Sequence, residues 1–278
     1  MRQQQTIAAP IEMSGIGIHT GKPVHLSLLP RDQGDILFRR TDLDGLEFVV
    51  DPQEIACRNS SILLKGEHQI YTLEHLLAAF YAYEVDSVLV ELDGEEIPIL
   101  DGSALLWVQA LDRAGKRPLS GAIKTIRVLE SLLVEEKEAW VSVSPHESFE
   151  VTYTIDFDHP LIGIQKLSLE VEPPGFRREV APARTFGFLR DVPELHARHL
   201  AMGGSTSNAL VLDDSSLING PLRFPDEFVR HKILDLIGDF SLLGFPIQAK
   251  LEAFKAGHSL HLKAVRHILD HPELWLLE

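Results

Sequence analysis

The sequence predicts an α+β protein made of two domains of related shape that face each other. Three observations lead there. The chain has 278 residues, 45% apolar and 24% charged, which suits a folded protein with room for two ordinary domains. Strand-like alternation gives way to a helix, a strand and a second helix, and a similar order follows again in the second half. Between the two runs, Gly115-Lys116-Arg117-Pro118-Leu119-Ser120-Gly121 reads as a linker, so the domains are drawn at 1–120 and 121–278.

In the first run, Val24 to Leu29 alternates in polarity, Asp32 to Asp35 turns, and Ile36 to Arg39 continues extended. A helix is expected from Leu73 to Tyr83 and a strand from Ser87 to Leu92. Ser103 is placed to N-cap a helix over Ala104 to Arg113, which Gly115 stops. The second run opens with strands at Lys124 to Val134, Ala139 to Ser144 and Phe149 to Phe157. Pro173-Pro174-Gly175 marks a loop or small insertion, and helices follow at about Asp226 to Leu243 and His258 to Leu269. No residue-level repeat accompanies this similarity of order.

Composition excludes several classes. A formal charge of −15 repels polyanions, so no nucleic-acid partner is expected. The longest apolar stretches, such as Leu76 to Phe80, are far short of the ~18 residues of a transmembrane segment. The N-terminal stretch has no apolar core of signal-peptide length, and Cys57 is the single cysteine. The expectation is a soluble, cytoplasmic monomer.

The stretch from His231 to Phe240 carries the first chemical signal. At 100° per residue, His231, Asp235 and Asp239 fall within an arc of about 80°, opposite Ile233, Leu236, Ile237 and Phe240. Such a face can ligate a metal ion, and it also fits an ordinary amphipathic helix. On the helix at Thr72 to Phe80, Leu73, Leu76, Leu77 and Phe80 share one side. His75 lies on the other with Ala78, Ala79 and Ala82, where another element can approach closely, and Glu74 is about 100° around. His75, His231 and Asp235 together make two imidazoles and a carboxylate, with Glu74 adjacent as a base. Hydrolytic zinc sites have that composition, although no HExxH occurs here. His258 follows Gly257 at an expected helix start and could serve as a general acid. The same donors suit a non-haem iron oxygenase.

These stretches resemble the UDP-3-O-acyl-N-acetylglucosamine deacetylases, the zinc amidases of lipid A synthesis in Gram-negative bacteria. Thr72-Leu73-Glu74-His75-Leu76-Leu77-Ala78-Ala79 is similar to that family's helix, and the likeness runs along nearly the whole chain. It includes Gly15-Ile16-Gly17-Ile18-His19-Thr20-Gly21-Lys22, Phe38-Arg39-Arg40-Thr41-Asp42-Leu43 and Glu96-Ile97-Pro98-Ile99-Leu100-Asp101-Gly102-Ser103. It also includes Ala183-Arg184-Thr185-Phe186-Gly187-Phe188 and Phe228-Val229-Arg230-His231-Lys232.

The resemblance implies two β-α-α-β domains sandwiching the site, with zinc on His75, His231 and Asp235. It makes Glu74 the base and His258 the acid, with Asp239 beside it. Thr185 corresponds to a hydroxyl near the scissile carbonyl, and Lys232 and Phe186 to substrate contacts. The substrate implied is a UDP-sugar carrying an acyl chain. An insert at roughly Asp158 to Ala181 would form its apolar passage, with Leu161, Ile162, Ile164, Leu167 and Leu169 as lining candidates or as a plain strand and its core. Three positions depart from the family's pattern. The segment Asn59-Ser60-Ser61-Ile62-Leu63-Leu64 replaces a threonine-rich one, Ser207 stands where aspartate is common, and His261 where asparagine is usual. None removes a ligand, the base or the acid, so an active enzyme is expected rather than a silent nucleotide-sugar-binding relative.

Overall fold

Alternating apolar residues place much of the first half in strands. The computed structural model describes residues 2–51, 54–57 and 60–278. Met1, and Asn59 in the serine segment, lie outside them. The strands are β1 (Arg2–Ile7), β2 (Ile11–Ile16), β3 (Pro23–Pro30), β4 (Ile36–Arg40), β5 (Leu46–Val49), β6 (Ile55–Cys57), β7 (Ser61–Lys65) and β8 (His68–Tyr71). Then come α1 (Glu74–Ala82), β9 (Val88–Leu92) and α2 (Leu105–Ala114). Strands β2-β3-β9-β4-β5 form one sheet in that order. Val24, Leu26 and Leu28 of β3 and Val88, Val90 and Leu92 of β9 are all buried. Period-two burial of this kind gives the sheet one apolar face. Ser103 Oγ accepts from Leu105 N at 3.2 Å, and Gly115 ends α2 at φ +68°, a conformation open to glycine.

The expected linker is instead a strand. β10 (Lys116–Ile123) pairs antiparallel with β1, Arg2 opposite Ile123 and Ile7 opposite Lys116. Gly, Pro and Ser punctuate this stretch, but Leu119 and Ile123 are buried and the pairing uses its backbone groups. The boundary drawn at residue 120 therefore falls inside β10.

The second half continues with β11 (Ile126–Val128), β12 (Leu132–Glu136), β13 (Ala139–Ser144), β14 (Phe149–Phe157) and β15 (Gly163–Glu170). The single strand expected over 124–134 is thus two. After α3 (Pro173–Gly175) and a π-helical turn at Phe176–Val180 come β16 (Phe186–Phe188), α4 (Val192–Ala197) and β17 (Leu210–Leu212). Prolines in the first turn are compatible with helix, so the expected loop at 173–175 is helical. Last are α5 (Glu227–Phe240), β18 (Ile247–Phe254), α6 (His258–Asp270) and β19 (Trp275–Leu277). β18 is central in the second large sheet, parallel to β14 and antiparallel to β13. Its Ile247, Leu251 and Ala253 are buried.

Helices α1 and α5 pack on each other, and α6 packs on α5, so the two sheets lie outside the helices. The order is sheet, helix, helix, sheet. The alanine face of α1 is what allows the approach. At Gly238 of α5, an added Cβ would lie 2.1 Å from the Glu74 carbonyl oxygen. Each residue near this seam is buried, from Glu74 through Phe80 on α1 and from Ile233 through Phe240 on α5. No helix among the described residues is long and apolar enough to cross a membrane.

Candidate metal centre

The α1–α5 seam brings His75, His231 and Asp235 together. One donor atom from each lies within 4.8 Å of the others, and all three residues are buried. Asp235 Oδ1 is 3.3 Å from His231 Nε2 and 3.6 Å from His75 Nε2. Donors on a tetrahedral ion with bonds of about 2.0–2.1 Å sit roughly 3.3–3.4 Å apart, so this spacing fits one small cation. His231 Nδ1 donates to the Ala183 carbonyl at 3.1 Å, leaving the Nε2 lone pair free. Burial pushes the His231 ring down to about 3, so it is neutral, as a ligand must be. His75 Nδ1 is buried with no hydrogen-bond partner among the described residues. Lys232 Nζ donates to Asp235 Oδ2 at 2.8 Å, the oxygen that does not face His75 and His231. Burial alone would raise the Asp235 carboxyl, but His231 and Lys232 hold it well below its usual range.

Glu74 and His258 lie beside this cluster. Glu74 Oε2 accepts from Ser61 N at 3.1 Å, and its Oε1 is 3.9 Å from His258 Nε2. Burial raises the Glu74 carboxyl despite His258 and His75. His258 opens α6, because Gly257 is its N-cap, and aims Nε2 within 3.8 Å of Asp235 Oδ2. Its Nδ1 donates to Asp239 Oδ2 at 2.7 Å. Burial opposes charge on His258, but Asp239, Glu74 and Asp235 outweigh it and hold the ring up to about 10.

Asp239 Oδ2 also accepts from His261 Nδ1 at 2.7 Å, and its Oδ1 accepts from Ser61 Oγ. Tyr153 OH donates to Ala256 O at 2.7 Å and meets His261 Nε2 at 3.0 Å. The departure at His261 therefore adds a second imidazole to Asp239. Ser61 gives its hydroxyl to Asp239 and its amide to Glu74. Ser207 is exposed and bonds within its own turn, its hydroxyl meeting Ser205 Oγ at 2.7 Å.

A cavity of about 450 Å³ opens over these groups. Glu74, His75, Thr185, Phe186, His231, Lys232, Asp235 and His258 all line it, and Asp239 sits behind them. Its apolar side is Phe188, Leu189, Val192, Leu195 and Val211. No residue of the span 158–181, where the acyl passage is expected, lines this cavity. The span holds β15, α3 and the π-helical turn, with Leu167 and Leu169 of β15 packed on the core and Ile164 73% exposed. The wall comes from β16, α4 and β17, where the short strands give little periodic signal.

His19 also lines the cavity and Glu96 holds the loop bearing it, although neither carries a periodicity or spacing signal in the sequence. Glu96 accepts from His19 N and Thr20 N, both at 2.8 Å, and from Thr72 Oγ1 at 3.0 Å. Thr72 is held at φ +62°, strained for a β-branched residue, two residues before Glu74.

Comparison with known proteins gives a consistent result. The family profile described as UDP-3-O-acyl N-acetylglycosamine deacetylase matches residues 4–270. A protein of Thermodesulfovibrio yellowstonii described as UDP-3-O-acyl-N-acetylglucosamine deacetylase is 41% identical over 274 residues, covering 96% of this chain and 92% of its own. One so described from Oleidesulfovibrio alaskensis is 42% identical over 278 residues, covering 98% and 91%. Another, from Pseudoalteromonas translucida, is 38% identical over 282 residues, covering 99% and 93%.

Proposed function

The chain belongs to the UDP-3-O-acyl-N-acetylglucosamine deacetylase family, whose members hydrolyse an amide, and on that footing we propose that it is a zinc-dependent deacetylase of lipid A synthesis. In this reading it removes the N-acetyl group of UDP-3-O-acyl-N-acetylglucosamine and releases acetate. The observation that carries it is the meeting of His75, His231 and Asp235 at cation spacing, with Glu74 and His258 beside them.

His75, His231 and Asp235 would hold the ion. Zinc bound there would polarise the acetamide carbonyl and acidify a water. Glu74, fixed at Oε2 by Ser61 N and raised by burial, takes the proton of the attacking water through Oε1. His258, kept charged by Asp239, donates its Nε2 proton to the departing nitrogen as the C–N bond breaks. Acetate and the free amine result. Thr185 is assigned to the carbonyl, and Lys232 and Phe186 to the sugar nucleotide, all three being cavity residues. Phe188, Leu189, Val192, Leu195 and Val211 take the acyl chain. Every group named comes from one chain, so a monomer suffices, and a single cysteine suits a cytoplasmic enzyme.

The test is acetate release from the acylated UDP-sugar by chelator-stripped protein with and without added zinc. Zinc-dependent release supports the reading. Folded, zinc-loaded protein that releases no acetate overturns it and leaves the silent sugar-nucleotide binder. Metal-dependent oxygen consumption would point to the iron alternative.

A further inference from the structure

We propose that Glu227 is a positioning residue for the metal centre, holding the peptide group that orients His231. The inference rests on reading His231 as a metal ligand. Glu227 lies in the first turn of α5, one turn before His231, so the four-residue spacing of His231, Asp235 and Asp239 extends back to it. It is wholly buried.

Both Glu227 oxygens are fully engaged. Oε1 accepts from Arg184 N at 3.0 Å and Arg184 Nε at 2.8 Å. Oε2 accepts from Arg184 Nη2 at 3.1 Å and Arg223 N at 2.5 Å. The Arg184 N–H belongs to the same peptide group as the Ala183 carbonyl, which accepts from His231 Nδ1 at 3.1 Å. One rigid trans peptide plane is therefore held at its N–H end by Glu227 and at its C=O end by His231. Successive turns of one helix grip opposite ends of one amide. Holding the N–H fixes where the carbonyl points, and the carbonyl selects the His231 tautomer whose Nε2 is free to bind metal. Arg223 anchors the neighbouring Pro182 carbonyl at 2.7 Å and Asp101 Oδ2 at 2.8 Å, so the segment is tied to the first half as well.

The test measures metal affinity by chelator competition on folded protein, alongside imidazole ¹⁵N spectra of the metal-free protein. Glu227→Gln keeps the side-chain shape but puts an amide donor against the donors it now receives. It should weaken metal binding about 10–100-fold, the range for partners that orient ligands. kcat should fall with KM nearly unchanged, and both His231 tautomers should appear. Unchanged metal affinity with a lowered unfolding temperature would make Glu227 merely structural and overturn the proposal. The wild-type spectrum needs no variant: a single Nδ1-protonated His231 supports the clamp, and a tautomer mixture overturns it. His231→Ala separates the premises. If it too retains full metal affinity, the ligand reading fails; if it loses metal while Glu227→Gln does not, only the clamp fails.

Discussion

Gly238 and Glu74 meet backbone to backbone: the space for a Cβ at Gly238 is taken by the Glu74 carbonyl, 2.1 Å from where that carbon would sit. The helix carrying His231 and Asp235 thereby reaches the helix carrying His75 with no side chain between them at this point. Gly238→Ala should push the helices apart, costing about 1–3 kcal/mol of stability as an overpacked core does. Metal affinity should fall with it, because donors from both helices lose their common distance. Chemical denaturation and metal titration of the same sample would check this. A variant with parental stability and parental affinity would contradict the contact.

His231→Ala and Asp235→Ala should each lose metal and activity in step. Both residues contribute to one donor set, and Asp235 Oδ1 faces both imidazoles. Metal content by elemental analysis, set against kcat/KM, is the measurement. Full occupancy in either variant would remove that residue from the donor set.

The acid and base should separate in a pH profile. Glu74→Gln should lower kcat by ~10²–10⁴ with metal retained, the usual scale for a proton-transfer group. His258 is charged below its pKa, so the rate should fall as pH rises through that value. Burial works against the charge and Asp239 is the largest influence in its favour. Asp239→Asn should therefore move the alkaline limb to lower pH, while His258→Ala removes or flattens it. A bound divalent cation also repels the imidazolium, placing the limb of the loaded enzyme below about 10. An alkaline limb that stays in place in Asp239→Asn would break the link between these two residues.

The acyl chain should matter through binding remote from the reacting atoms. Removing it from the substrate should lower kcat/KM by orders of magnitude. Leu195→Asp, on the apolar side of the cavity, should narrow the difference between acylated and unacylated substrates. Equal losses on both would place the chain elsewhere.

The helices and the shared face of His231 and Asp235 are legible in sequence because helical periodicity is local: residues four apart share a face whatever surrounds them. The same rule extends to Glu227, one turn before His231. Its function is not legible, because it depends on Arg184 and Arg223 arriving from elsewhere in the fold. Ser61 is hidden for a similar reason, since its partner Asp239 is 178 residues away. Residues 115–121 look like a linker by composition. They form a strand because a distant segment supplies the edge. The cavity wall is missed because β16 and β17 have three residues each, too few to show a period.

Strand β1 has to wait for its partner. Its pairing runs from Arg2 opposite Ile123 to Ile7 opposite Lys116, so nearly the whole first half must be made before the ribbon can close. Loop closure over such a separation is slow relative to helix or hairpin formation. A ribosome that has not yet released residue 123 carries a nascent chain with an open edge at its leading end. Pieces cut before residue 116 would keep that edge permanently and, by the ordinary hazard of unpaired strands, should aggregate where the longer chain does not.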